Sequence, residues 1–334
     1  DLGPDLGSYG EKQIHTPHLD QLAKEGVRYS HCFTSAAVCS PSRSGLITGM
    51  YPVSIDCHQH RTRFKKDLPS PVKPVTELFR EAGYWVSNGN AQDMEKFGKT
   101  DYNFIHKKSA LFDGTDWRGR QEGQPFFAQV QIFYPHRPFL PDTIHPVNPD
   151  EVELPPFYPN HILTKEDWAL YLETVQHVDK VVDRILKRLE EDDLTENTFI
   201  FFVGDQGRPH VRSKQFLYDQ GTHTPLVVRW PDGRLAGTNN DRLVSNIDLA
   251  ASSLLLAGIQ PPKWMQGRDF LQEESEPRNY VFTMRDRCDE STDRIRAVRT
   301  QRFKYIRNYY PHIPWAQFNA YKATRYPSNL MLDT

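Results

Sequence analysis

Several things that would settle the class of this chain at once are missing from it. Four cysteines in 334 residues (Cys32, Cys39, Cys57 and Cys288) are too few for a disulfide scaffold. No Cys-x-x-Cys pair occurs among them, which excludes the usual structural zinc sites. An even count allows one disulfide or none and leaves the compartment open. The formal net charge is only −2, so no whole-protein field points to nucleic acid. No apolar run is long enough to cross a bilayer. There is no internal repeat and no low-complexity segment. The opening DLGPDLGSYG carries no methionine and no strand ahead of Asp1. It reads as a mature or trimmed start, with an export signal and a first strand lying outside the chain. The closing NLMLDT lacks a clear final element and reads as a cut end.

What is present fits one large α/β domain. Apolar residues make up 38% and charged residues 25%, an ordinary balance for a globular protein of this length. The 25 prolines and the aromatics concentrate in loops such as YPHRPFLPD, HPVNPD and LPPFYPN, the kind that build substrate clefts over an α/β core.

The periodicity predicts alternating elements. Thr16-Pro17 opens a helix with Leu19, Leu22 and Ala23 on one face and Gly26 as its stop. VRYSHCFTSAAV reads as a strand leading into Cys39, and SRSGLITG as a buried helix starting after Pro41. Residues 74–83 form a short helix, followed by the strand YWVSNG. QPFFAQVQIFY and NTFIFFVGDQG are continuous apolar strands, and PLVVRWP is another. Thr164 to Asp167 resembles a capping box for a long helix carrying Trp168, Leu172, Val175, Val178, Val182, Ile185 and Leu189. Residues 248–258 form a helix with a glycine stop. The expected fold is α/β, a mostly parallel central sheet flanked by helices over residues 1–276. NYVFTMRD and IRAVRTQRFKYIRNY alternate polar and apolar residues, so 277–334 reads as a small antiparallel C-terminal subdomain.

Polar clusters follow the strand ends, where open α/β sheets bind ligands. Asp1, Asp205 and Gln206 offer hard oxygen ligands suited to Ca²⁺ or Mg²⁺ rather than zinc. Arg208, His210, Arg212 and Lys214 follow at short range, and His136-Arg137 follows another strand. Basic groups beside a divalent cation suit a sulfate or phosphate ester. On these grounds alone, Cys39 has either a packing role or a chemical one.

At this point a family resemblance enters. Cys-Ser-Pro-Ser-Arg at 39–43 resembles the C-x-P-S-R signature of the type I, formylglycine-dependent sulfatases of the alkaline-phosphatase-like superfamily. DLG…GSYG, TPHLDQLAKEG, LITGMYP, GKTDYNF, PFF…YPHRPF, VGDQG and LYDQGTHTPLVVRWP resemble sulfatase blocks in sulfatase order, over about residues 1–310. The nearest relatives implied are polysaccharide sulfatases, including the heparan N-sulfatase-like branch.

The resemblance implies that Cys39 is oxidised to Cα-formylglycine by a formylglycine-generating enzyme. Its hydrate would be activated by Ca²⁺, rather than Mg²⁺, and would attack sulfur; elimination would then expel sulfate. Asp1, Asp205, Gln206 and the modified Cys39 would hold the metal, with Gln206 a departure from the usual Asn or His. Arg43 would steady the hydrate, Lys99 and Lys214 would hold sulfate oxygens, and His136 would be the general acid. The family's G-K-x-H histidine is absent, because this chain reads Gly98-Lys-Thr-Asp101. His60, slightly ahead of His58, is the expected replacement. Arg61, Asp101, His210 and Arg137 are the expected substrate contacts, while His177 and His223 are structural. The implied substrate is a sulfated carbohydrate, with no nucleic-acid partner and no membrane span. The implied location is periplasmic or secreted, or lysosomal in a eukaryote. Two other readings stand beside this one: a phosphoester or phosphonate hydrolase of the same superfamily, and a non-catalytic binder of sulfated glycans.

Overall fold

The computed structural model describes residues 1–331. In chain order these form α1 (Pro17–Glu25), β1 (Val27–Phe33), α2 (Cys39–Thr48), α3 (Val75–Glu81), β2 (Trp85–Asn90), β3 (Asp93–Phe97), α4 (Lys108–Leu111) and β4 (Phe126–Gln131). Then follow α5 (Ile162–Glu191), β5 (Ile200–Val203), α6 (Asp219–Thr222), β6 (His223–Arg229), β7 (Thr238–Ser245), α7 (Asp248–Leu256), β8 (Val281–Arg285), β9 (Ile295–Arg299), β10 (Lys304–Asn308) and α8 (Ala320–Arg325).

Local chemistry explains most boundaries. Pro17 suits the first turn of α1, whose Leu19, Leu22 and Ala23 are buried. They pack against the α5 stripe of Trp168, Leu172, Val175, Val178 and Val182. That long helix starts two residues before Thr164, because the His161 side chain accepts the Leu163 N–H and takes the capping role. Likewise α2 starts at Cys39 rather than after Pro41.

The α/β class and the small antiparallel C-terminal sheet (order β10-β9-β8) are as the sequence predicts. The central strands, expected to be mostly parallel, form two mixed sheets. In one, of order β5-β6-β1-β7, β1 runs parallel to β7 and antiparallel to β6, and β6 antiparallel to β5. In the other, of order β3-β2-β4, β2 runs parallel to β4 and antiparallel to β3. The connections explain the difference. Parallel neighbours need a long crossover, usually a helix. Between β5 and β6 there is only a polar loop with the single-turn α6, and between β2 and β3 a two-residue turn.

β4 and β5 are each the last strand of their sheet. Both line an apolar cavity of about 950 Å³, walled by Val178, Val182 and Leu186 on one side and by Phe79, Leu249 and Ala250 on the other, with Asp1 also in its lining. The C-terminal sheet packs Ile295 and Ala297 on Ala37 and Leu217, against the segment that leads into α2. Of the subdomain expected at 277–334, residues 332–334 lie outside the described residues. Among the described residues, no helix is long and apolar enough to cross a membrane.

Candidate active site

Cys39 is the first residue of α2, entered from an extended Val38, and it is fully buried. Its thiol points at Asp1 Oδ1 (3.5 Å) and receives Gln206 Nε2 at 3.4 Å. Burial pushes the thiol up, but the ammonium groups of Lys214 and Lys99 pull harder, so it is held below the ordinary thiol range. One turn along α2, Arg43 donates Nε to Asp205 Oδ2 (2.8 Å) and Nη1 to Gln131 Oε1 (2.8 Å) and to the Lys99 carbonyl (3.2 Å). Helical spacing thus places the signature arginine between the thiol and the end of β5. Ser42 is tied to Thr34 and Asn246, which locks the start of the helix.

Asp205 and Gln206 follow β5 directly, and Leu2 N–H donates to the Gln206 carbonyl (2.8 Å), stitching the chain's start to this loop. A side chain at Gly207 would collide with the Gln220 carbonyl, so only glycine lets the loop turn here. The Asp1 backbone nitrogen donates to Asp205 Oδ1 at 2.6 Å. Lys214 Nζ, itself buried, donates to Asp1 Oδ2 at 2.7 Å. Burial pushes the Asp205 carboxyl up, but the surrounding cations, Arg43 and Lys99 among them, hold it well below the usual range. The donor set fits a hard divalent cation. Asp1, Asp205 and Cys39 place ligand atoms within 4.8 Å of one another. Gln206 Oε1 is buried with no hydrogen-bond partner, a carbonyl oxygen left for a ligand of the right kind.

Lys99 lies 3.5 Å from Asp101 and adds to the field at Cys39. His136 Nδ1 is 2.7 Å from the Arg137 carbonyl, which only accepts, so Nδ1 carries the proton. Nε2 lies 3.8 Å from Asp1 Oδ2 and is the nitrogen nearest the site. Burial and Lys214 push this imidazole down to about 3, so it is neutral here and Nε2 is an acceptor. Work as an acid at this position requires a bound anion to offset the cations.

Two expected substrate contacts lie elsewhere. Arg137 is buried in a bidentate pair with Asp167, donates to the Pro209 carbonyl, and lies between the rings of Phe139 and Tyr326. Its donors are spent on the core. His210 is also buried and is walled by Phe139, Tyr158, Trp168 and Tyr171, so no substrate reaches it. Arg61 and Asp101 pair with each other at 3.0–3.1 Å, and Asp101 lies 3.5 Å from Lys99.

The two histidines after α2 differ. His58 is held by Asp286 (2.6 Å) and Asp56 (3.2 Å), which occupy both ring nitrogens. His60 is buried, its Nδ1 has no partner, and Lys214 acts on its charge. His223 Nε2 donates to the Ser30 carbonyl (2.9 Å) and His177 Nε2 to the Pro141 carbonyl (3.0 Å), as structural residues do. Sequence reasoning passed over Gln131, which anchors Arg43, and Tyr321 on α8, whose ring lies 5.2 Å from Lys214 Nζ. Gln131 sits inside an apolar strand and Tyr321 in a polar stretch far along the chain, so neither carried a local signal.

Comparison with known proteins agrees with this geometry. The Sulfatase family model matches residues 2–259, and the model described as N-sulphoglucosamine sulphohydrolase, C-terminal, matches 209–332. An ulvan-active sulfatase of Formosa agariphila is 35% identical over 93% of this chain and 60% of its own length. The chain thus spans about 60% of the length of the curated relatives it matches. A protein solved in complex with its substrate D-glucosamine-2-N,6-O-disulfate aligns with TM-score 0.72 at 18% identity, covering 97% of this chain and 90% of that one. The phosphonate monoester hydrolase of Agrobacterium radiobacter aligns with TM-score 0.74 at 18% identity, over 92% and 85%.

Proposed function

Because this chain belongs to the sulfatase family, we propose that it is a sulfuric ester hydrolase acting on a sulfated carbohydrate. The observation that carries the reading is the meeting of Cys39, at a helix start, with Asp1, Asp205 and Gln206 and with the cations Arg43, Lys99 and Lys214. The similarity to an ulvan-active sulfatase supports a polysaccharide substrate.

In this proposal Asp1, Asp205, Gln206 and residue 39 hold a Ca²⁺ ion, which would supply Lewis-acid activation of the nucleophile. Residue 39, converted from cysteine to formylglycine, would supply a hydrated aldehyde as that nucleophile. Cys39 is fully buried, so a formylglycine-generating enzyme must reach the Cys39–Arg43 segment before folding is complete. Arg43 holds Asp205 in place and presents its remaining donors toward residue 39. Lys99 and Lys214 bind the sulfate oxygens and offset their charge. The incoming sulfate raises the proton affinity of His136, whose Nε2 then hands a proton to the leaving sugar oxygen. His60, rather than the doubly held His58, stands at the flank of residue 39 in place of the missing histidine. A periplasmic or secreted location fits a polymeric substrate that cannot enter the cell.

The test is sulfate release, read by ion chromatography, from ulvan, heparan and chondroitin fragments and an aryl sulfate. The protein is co-expressed with a formylglycine-generating enzyme, with Cys39→Ala as control. Release abolished in the control is the expected result. No release from protein shown by peptide mass to carry the aldehyde sinks the reading. The fold shared with a phosphonate monoester hydrolase favours one second reading, and the ratio of phosphonate to sulfate ester turnover separates the two.

A further inference from the structure

A second cluster of ligand-type side chains joins His60 to Cys288 and Asp289, and the last two have no part in the proposed hydrolysis at the oxygen-rich site. Cys288 and Asp289 lie on a tight hairpin after β8, closed by Cys288 N–H to the Ser291 carbonyl (2.9 Å) and Ser291 N–H to the Cys288 carbonyl (3.0 Å). His60 comes from the loop after α2. The two segments are fastened together: His60 N–H donates to the Arg287 carbonyl (2.9 Å), and Arg287 Nη2 donates to the His60 carbonyl (2.6 Å). His60 Nε2 lies 3.8 Å from Asp289 Oδ1, and Cys288 Sγ lies 3.9 Å from Asp289 Oδ2. One ligand atom from each of the three lies within 4.8 Å of the others.

From this geometry we infer a transition-metal site of Zn²⁺ type formed by His60, Cys288 and Asp289. A tetrahedral ion with bonds of about 2.0–2.3 Å holds its ligands roughly 3.3–3.8 Å apart, so the three side chains, which lie within 4.8 Å of one another, close in by about 1 Å on binding. The donors are imidazole, thiol and a single carboxylate, a borderline-soft set that suits Zn²⁺ and not Ca²⁺. A second observation points the same way. His60 is 4% exposed, and among the described residues its Nε2, the nitrogen that faces Asp289, makes no hydrogen bond, so it is free to bind a metal. Among the described residues the Cys288 thiol has a single hydrogen bond, to Asp289 Oδ2 at sulfur distance. On binding, the Cys288 S–H bond breaks, its proton passes to solvent, and a sulfur–metal bond forms, leaving at least one coordination position open. An ion here takes up His60, the histidine that the reading above sets beside residue 39. Zn²⁺ bound at this position therefore inhibits, a consequence that rests on the hydrolase reading above, whereas the site itself does not.

The test begins with metal-free Cys39→Ala protein, which removes the thiol of the oxygen-rich cluster, titrated with Co²⁺ alone. A thiolate-to-cobalt charge-transfer band saturating at one equivalent, displaced by Zn²⁺, is the expected result. Adding Cys288→Ser abolishes the band. Adding Asp289→Asn instead, at a partly exposed position that tolerates the change, weakens Co²⁺ binding at least tenfold. Circular dichroism confirms that each variant is folded, and the Asp289→Asn arm decides the matter if Cys288→Ser does not fold. No band in Cys39→Ala, or a band unchanged by both substitutions, overturns the site. In formylglycine-bearing protein, Zn²⁺ lowers sulfate release at least tenfold and Cys288→Ser removes that response. A band without inhibition overturns the inhibitory half and keeps the site. A band in protein that releases no sulfate from any substrate counts against the hydrolase reading alone.

Discussion

Two ligand clusters of this chain are built in opposite ways. The first joins Asp1 to Asp205 and Gln206 after β5 and to Cys39 at the start of α2, and its acids are matched by Arg43 and Lys214 at 2.7–2.8 Å. The second joins His60, Cys288 and Asp289 from two loops held by backbone hydrogen bonds, with one imidazole nitrogen left unpaired. The first is hard and compensated; the second is softer and uncompensated. Regular elements place charge where the sheet topology directs it, whereas loops bring together whatever their stitching allows.

The largest expected effect breaks the symmetry between the two thiols. Cys39→Ala lowers sulfate release by about 10⁴-fold or more, as loss of a nucleophile does. Cys288→Ser acts on the Zn²⁺ response instead. Single-turnover sulfate release checks the first; similar losses from both changes in Zn²⁺-free buffer would erase the distinction.

Next comes the arginine that the sequence assigned to substrate and the fold assigned to the core. Arg137→Met leaves Asp167 as an unpaired buried charge and destabilises the protein by about 3–5 kcal/mol in urea unfolding. A weaker affinity for substrate at unchanged stability would return Arg137 to the cleft.

His58 and His60 sharpen the comparison through pH. Burial holds His60 down at about 4, below its unfolded value of about 6.5. Between those values the unfolded chain binds more protons, so stability is complete above pH 6.5 and is lost as pH falls, by at most about 3 kcal/mol. His58 has the opposite sign. The hydrogen bond to Asp286 raises it, so its contribution is present below pH 6.5 and fades as pH rises through the folded value. His60→Gln flattens the acid limb of a stability–pH curve, and His58→Gln lowers stability at pH 5 by less than about 1 kcal/mol because the ring is partly exposed. The Ca²⁺ response separates the two clusters in another way. At a hundredfold excess over Kd it adds about 2.7 kcal/mol by mass action, and Asp205→Asn removes most of it while Asp289→Asn does not. Thermal scans with Ca²⁺ and with EGTA read this directly.

The limits of sequence reading show at particular residues. Thr164 matched a capping pattern, but His161 does the capping, since a side chain three residues earlier accepts the free Leu163 N–H. Strand β7, written TNNDRLVS, carried no apolar signal because its first half is exposed. Arg137 and His210 followed a strand end as active-site residues do, yet their side chains turn inward to Asp167 and to an aromatic cage. Position along the chain predicts which end of the sheet a residue occupies, but not which way its side chain points.

By itself the sequence determined the alternation of strands and helices, a helix close to Cys39, and the set of oxygen and cationic groups beyond the strand ends. Those follow from local periodicity and from short spacings such as the four-residue step from Cys39 to Arg43. Only the tertiary structure decided that the sheets are mixed, that His58 is held by two carboxylates while His60 is left open, and that Cys288 and Asp289 come to lie beside His60. Such contacts join residues far apart in the chain, and their energies depend on burial and orientation, which no local pattern records.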